Sequence, residues 1–267
     1  MATIVSFHAH PDDEAIGTGG TLAKAAAEGH RVVIVWATRG EHGEVDDGFL
    51  APGEALWERR IKEAAGAAEI LGAARTEFLG YVDSGMMGTA ENDAPESFWR
   101  ANVDEAAALL AAILREERAD ILTAYDDHGT YGHPDHIQVH RVGVRAAELA
   151  ETPRVVQGTA NRDHVMRGLE AARAAGVELP GDLDDRRMDD FGSPESIITT
   201  AIDVSGYLDR KRAAMKAHAS QISETSFFLA MPPELFATAF GTEWFIDPTR
   251  TPGGAMATDL LTDRTTP

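Results

Sequence analysis

The sequence predicts an α/β fold: a mostly parallel sheet flanked by helices, with a C-terminal elaboration. Two observations carry this reading. Short β-branched runs are apolar without polar alternation, and longer alanine-rich segments with apolar residues at helical spacing separate them. A strand that is apolar throughout is buried on both faces, as in a sheet covered by crossover helices. Alternation of the two kinds of segment argues for right-handed β-α-β units, hence a Rossmann-like arrangement.

The strands are read at residues 3–7 (TIVSF), 31–37 (RVVIVWA), 76–80 (TEFLG) and 120–124 (DILTA). Helices are read between them at 19–29, 54–72 and 102–118, ending near glycine or charged residues. Beyond residue 150 the pattern loosens. VVQG (155–158) reads as a strand, 162–176 as a helix, 196–204 (SIITTAIDV) as a strand and 207–222 as a helix. Residues 178–196 are acidic, punctuated by Pro and Gly, and read as a long loop over a site. No repeat or linker divides the chain, so residues 1–248 form one domain, with a core at 1–150 and an elaboration at 151–248, followed by a tail at 249–267.

Composition narrows the function. With 24 Lys and Arg against 44 Asp and Glu, the net charge of −20 repels nucleic acid and anionic membrane surfaces. No apolar run spans a bilayer and no signal peptide is visible, so the chain reads as cytoplasmic. Cysteine is absent, which leaves His, Asp and Glu to hold any metal.

Two clusters carry the chemistry. HAHPDDE (8–14) leaves the first strand, and YDDHGTYGHPDHIQVH (125–140) leaves the strand at 120–124. Both lie at carboxyl ends of strands, where ligands bind in open parallel sheets. Alone, Asp12 and Asp13 suit the N-terminus of the next helix. The second cluster changes that balance, because His133-Pro134-Asp135-His136 mirrors His10-Pro11-Asp12-Asp13. Two such turns supply the nitrogen and oxygen donors of a catalytic zinc site, although the donor set also accommodates ferrous iron or another divalent transition metal. A dinucleotide fingerprint fails because Leu22 stands where its third glycine belongs, and neither a phosphate loop nor a serine nucleophile elbow is present.

The stretches HAHPDDEAIGTGGTLAKAAAEGHRVVIVWATRGEHGE and YGHPDHIQVHR resemble the LmbE-like, or PIG-L, zinc-dependent N-deacetylases, as do RIKEAAGAAEILG, LGYVDSGM and KRAAMKAHASQI. YVDSGM and YGHPDH look most like the branch of mycothiol-biosynthesis deacetylases and mycothiol S-conjugate amidases. The resemblance implies an amide hydrolase acting on an N-acetylglucosamine-type conjugate. It implies that His10, Asp13 and His136 hold the metal and that Asp12 is the general base. It further implies that His133 and Tyr131 face the oxyanion, with Asp135 behind His133 keeping it charged, and that Arg60 reaches a sugar hydroxyl.

Asp83 reads equally as a turn cap or as an acceptor for substrate hydroxyls. His218 and Gln221 either pack the late helix or border the pocket. Two further functions stay open: an amidase that cleaves a larger acyl group from a sugar-thiol conjugate, and a non-catalytic metal or carbohydrate-binding module. The expected partner is a small amino-sugar conjugate; a homo-oligomer is compatible with the sequence.

Overall fold

The computed structural model describes residues 1–174, 188 and 190–261. Its sheet has seven strands: β1 (Thr3–His8), β2 (Arg31–Thr38), β3 (Arg75–Tyr81), β4 (Ile121–Tyr125), β5 (Arg154–Thr159), β6 (Thr200–Asp203) and β7 (Thr242–Ile246), in the order β3-β2-β1-β4-β5-β7-β6. The first five pair in parallel. β7 runs antiparallel to both β5 and β6. It was not read from the sequence: Thr242–Ile246 is short, alternates buried with half-buried residues, and follows a helix without a strong turn signal. Together β6 and β7 form an antiparallel edge on an otherwise parallel sheet.

The main helices are α1 (Gly19–Ala27), α2 (Leu56–Leu71), α3 (Val103–Glu117), α4 (Pro134–Ala150), α5 (Arg162–Ala174), α6 (Leu208–Ala217) and α7 (Pro233–Phe240). One face of the sheet buries Val5, Phe7, Val33 and Val35 against Leu110, Leu114 and Val142 of α3 and α4. The other buries Ile4, Val32, Ile34 and Trp36 against Leu22, Leu71 and Met215 of α1, α2 and α6. The expected strand at 196–204 is shorter, because Glu195–Ile197 forms a 3₁₀ turn. Much of the expected loop at 178–196, the end of the helix read to 176, and residues 262–267 of the tail lie outside the described residues. No described helix is long and apolar enough to cross a membrane.

An ion cluster ties the end of α3 to the starts of β2 and β3. Glu117 accepts from Arg31 Nε at 2.5 Å and from Arg75 Nη1 at 2.9 Å. The hydrogen bond from Arg31, against the cost of burial and with Arg75 adding to the fall, holds the Glu117 carboxyl down to about 2. A depressed carboxyl stabilises the fold above its unfolded value of about 4.5, and that contribution disappears as pH falls through 2. Because Arg31 is partly solvated, Glu117→Gln should cost about 1–2 kcal/mol at pH 7. Urea melts of variant and wild type should converge between pH 4.5 and 2; a pH-independent difference would refute the assignment.

Candidate active site

In the order β3-β2-β1-β4-β5 the chain direction of winding reverses between β1 and β4, which pair with each other. Crevices at such reversals open outside the carboxyl ends of the strands. Both His-Pro-Asp turns emerge there. Residues 10–13 pass from β1 into a π-helical turn, Glu14–Thr18, that precedes α1. His133 caps α4, its Nδ1 accepting from the Asp135 backbone N–H at 3.1 Å, with Pro134 in the first turn where it forfeits no hydrogen bond. Just before it, Gly129 adopts φ +66°, and a Cβ there would lie 2.6 Å from that of His136. Only glycine fits that approach.

His10, His133 and His136 bring ring nitrogens within 4.8 Å of one another, and all three are buried. Asp13 lies between two of them: Oδ2 is 3.5 Å from His10 Nδ1, and Oδ1 is 3.4 Å from His136 Nε2. Donors on a tetrahedral zinc, at bonds of roughly 2.0–2.1 Å, stand roughly 3.3–3.4 Å apart. On its far side His10 Nε2 donates to Asp135 Oδ2 at 3.1 Å and faces Asp83 Oδ1 at 3.4 Å. Nε2 therefore carries the proton, and Nδ1 presents its lone pair toward Asp13. A metal-binding histidine commonly has this arrangement, with its other N–H on a carboxylate.

Charge supports the same fit. Burial opposes protonation of His10, yet Asp83, Asp13 and Asp135 raise its pKa well above the usual imidazole value. The surplus of negative charge suits a cation. The residues present thus fit a divalent metal. His133 is the least suited donor of the four, because its Nδ1 already accepts from α4 and the neutral ring then carries its proton on Nε2.

Asp12 sits beside this group. Burial raises its carboxyl to about 6, against Arg60, which lowers it, and with Asp13, which adds to the rise. That places a carboxylate close to the range in which a general base works best at neutral pH. Its backbone adopts φ +107°, a strained conformation for a non-glycine residue.

Arg60 is not a solvated ion pair and does not lie open to a sugar hydroxyl. It is 3% exposed and donates to Pro11 O at 2.5 Å, Gly40 O at 2.9 Å and Asp12 Oδ2 at 3.3 Å. The approach requires Gly40, at φ +67°, where a Cβ would stand 2.1 Å from Nη1. Asp83 is likewise buried, accepting from the Gly85 N–H at 2.9 Å and the His42 N–H at 3.2 Å while facing His10.

The expectation for His133 and Asp135 needs correcting. The Asp135 carboxylate accepts from Ser84 Oγ, from the Ser84 N–H at 2.9 Å and from His10 Nε2, so it orients His10 and touches His133 only through its backbone N–H. Burial and the neighbouring His10 and His136 push His133 down to about 3, so it is a neutral N–H donor and not a cation. Tyr131 exposes nearly half its surface, but its hydroxyl turns inward to 3.3 Å from His136 Nε2.

Sequence reading missed Ser84, which lies in the quoted YVDSGM but carries no chemistry of its own, and Glu14. Glu14 is fully buried and accepts from the Asp12 N–H and the Trp36 indole N–H, each at 3.0 Å, and from His218 at 2.6 Å. Its place in HPDDE was the available signal, although its partners lie 22 and 204 residues away.

Comparison with known proteins identifies the family. Residues 5–147 match the family described as PIG-L, GlcNAc-PI de-N-acetylase. A 1D-myo-inositol 2-acetamido-2-deoxy-alpha-D-glucopyranoside deacetylase of Acidothermus cellulolyticus is 43% identical, covering 92% of this chain and 88% of that protein. A deacetylase of the same name from Streptomyces scabiei is 40% identical, covering 97% of this chain and 88% of that one. Among solved structures, the conserved protein TT1542 of Thermus thermophilus shares the fold at a TM-score of 0.58 and 24% identity, over 94% of this chain and 96% of that one. So does N,N'-diacetylchitobiose deacetylase of Pyrococcus horikoshii, at 0.54 and 21%, over 88% and 72%. The family match spans both His-Pro-Asp turns and the strands that carry them, and this chain belongs to the PIG-L family of GlcNAc-PI de-N-acetylases.

Proposed function

We propose that this chain is a metal-dependent hydrolase that removes the acetyl group from an N-acetylglucosaminyl conjugate. Its substrate would be the inositol glycoside named in its relatives, and its metal, zinc by default, would be held by His10, Asp13 and His136. One observation carries the reading: a buried carboxylate at about 6, Asp12, stands beside a group of His and Asp donors without being one of them. Pure binding has no use for such a base.

A bound divalent ion supplies Lewis acidity toward the amide carbonyl and the attacking water. Asp12 takes the water's proton as its oxygen bonds to the carbonyl carbon. It then delivers that proton to the amine as the C–N bond breaks, releasing acetate and the free amino sugar. Arg60 holds Asp12 in its ionised form and in place. The Nε2–H of His133 and the hydroxyl of Tyr131 donate to the developing oxyanion, where well-placed donors are each worth about 10²–10³ in rate. Asp135 and Ser84 fix the ring of His10.

Acetate release should be measured on the N-acetylglucosaminyl-inositol, on simpler N-acetylglucosaminides and on sugar-thiol S-conjugates with bulkier amides. The inositol glycoside should turn over fastest. Preference for a bulkier amide would replace deacetylase with amidase, and no turnover of any amide would favour a binding module. Chelation should abolish turnover and leave far-UV circular dichroism nearly unchanged, because the ligands cap a sheet whose core does not include them. Full activity in the chelated protein would exclude the metal.

A further inference from the structure

The late helix α6 ends at Ala217, and the next residue, His218, reaches across the domain to the first His-Pro-Asp turn. Its Nε2 lies 2.6 Å from Glu14 Oε1, and both residues are fully buried. The other oxygen of Glu14 accepts from the backbone N–H of Asp12 at 3.0 Å and from Trp36 Nε1 at 3.0 Å. Asp12 is the residue held at φ +107°, a conformation that persists only when its surroundings over-determine it. Its carbonyl is also engaged, accepting from the Ala15 and Ile16 N–H groups at 3.0 and 3.1 Å. Arg60 secures the side chain and Glu14 the amide.

We infer that His218, acting through Glu14, is a positioning residue for Asp12, so that the C-terminal elaboration completes the active site by holding the general base in its strained geometry. The inference rests on the proposed hydrolysis with Asp12 as base. His218 touches no substrate or reacting atom in this arrangement; it fixes one oxygen of Glu14, and the second oxygen fixes the Asp12 amide. Without it Glu14 is a buried carboxylate lacking its strongest partner, free to turn away from Asp12. The Asp12 backbone then relaxes toward an unstrained φ, and its carboxylate leaves the line between water and amine. Displacements of about 1 Å at such a group cost on the order of 10²-fold in rate.

The test uses the full-length zinc-loaded protein and acetate release from the N-acetylglucosaminyl-inositol. His218→Ala should lower kcat by 10- to 100-fold, with KM within threefold and zinc content unchanged. His218→Gln, whose amide N–H can reach the same oxygen, should recover most of that loss. In an Asp12→Asn background His218→Ala should lower the residual turnover by less than threefold, because the group it positions is already gone. In the metal-free protein, amide exchange at Asp12 should quicken at least tenfold in His218→Ala. Should that variant not fold, His218→Asn, too short to reach Glu14, takes its place in every comparison. Wild-type kcat in His218→Ala, equal fold-losses in the two backgrounds, or unchanged exchange at Asp12 would each overturn the proposal. Wild-type turnover in Asp12→Asn alone would overturn the base and the proposal together, and so separates a wrong base from a wrong positioning residue.

Discussion

Asp12→Asn should retain nearly one equivalent of zinc and lose turnover by about 10²–10⁴-fold, whereas Asp13→Ala should lose both metal and turnover. The two aspartates are neighbours in sequence, but the backbone turns sharply between them. Asp13 points its two oxygens toward His10 and His136. Asp12, at φ +107°, pairs its carboxylate with Arg60 instead. Asparagine preserves the size of Asp12 and most of its hydrogen bonding while removing basicity, so a loss of rate without a loss of metal isolates proton transfer. The Asp13 variant removes one of three protein donors and leaves two imidazoles, too few to hold the ion. Elemental analysis beside kcat for each variant decides the matter. Equal loss of metal in both, or wild-type turnover in Asp12→Asn, would reverse the assignment.

The largest effect on stability should come from a pair far from the chemistry. Lys211 on α6 and Glu243 on β7 are almost fully buried, and Lys211 Nζ donates to Glu243 Oε1 at 2.5 Å. Glu243 also accepts from the backbone N–H groups of Gly20 and Thr21 at 2.8 Å each. These belong to the first turn of α1, which has no side-chain cap of its own. A carboxylate from the end of the chain therefore caps a helix near its beginning, where the helix dipole favours negative charge. Lys211→Met strands that charge without its cation and should cost about 3–5 kcal/mol. For a chain of this size the melting temperature would fall by roughly 6–20 °C. Lys211→Met with Glu243→Gln should recover much of the loss, since the amide oxygen still caps α1 and no net charge is buried. A loss below about 1 kcal/mol in the single variant would mean that water or rearrangement satisfies Glu243.

The sequence by itself determined the parallel half of the sheet, because apolar strands and amphipathic helices are periodic features that a local window contains. It also determined that two His-Pro-Asp turns occupy strand ends, since Pro134 and the histidine cap before it define the start of α4 locally. The pairing of β1 with β4 made those ends neighbours, and hence one site. Which side chain serves which partner was decided only in three dimensions. Asp135 was read as the support of His133, two positions away in the same motif, but it faces His10 across a separation of 125 residues. Arg60 was expected to reach a sugar hydroxyl, yet burial sets it against Pro11 and Asp12. His218 gave no local sign of its contact with Glu14. The physical reason is common to these cases. A strand or cap is fixed by groups within a few residues, whereas a buried polar side chain must satisfy its hydrogen bonds with whatever groups the folded chain brings within about 3 Å, and sequence spacing does not encode that distance.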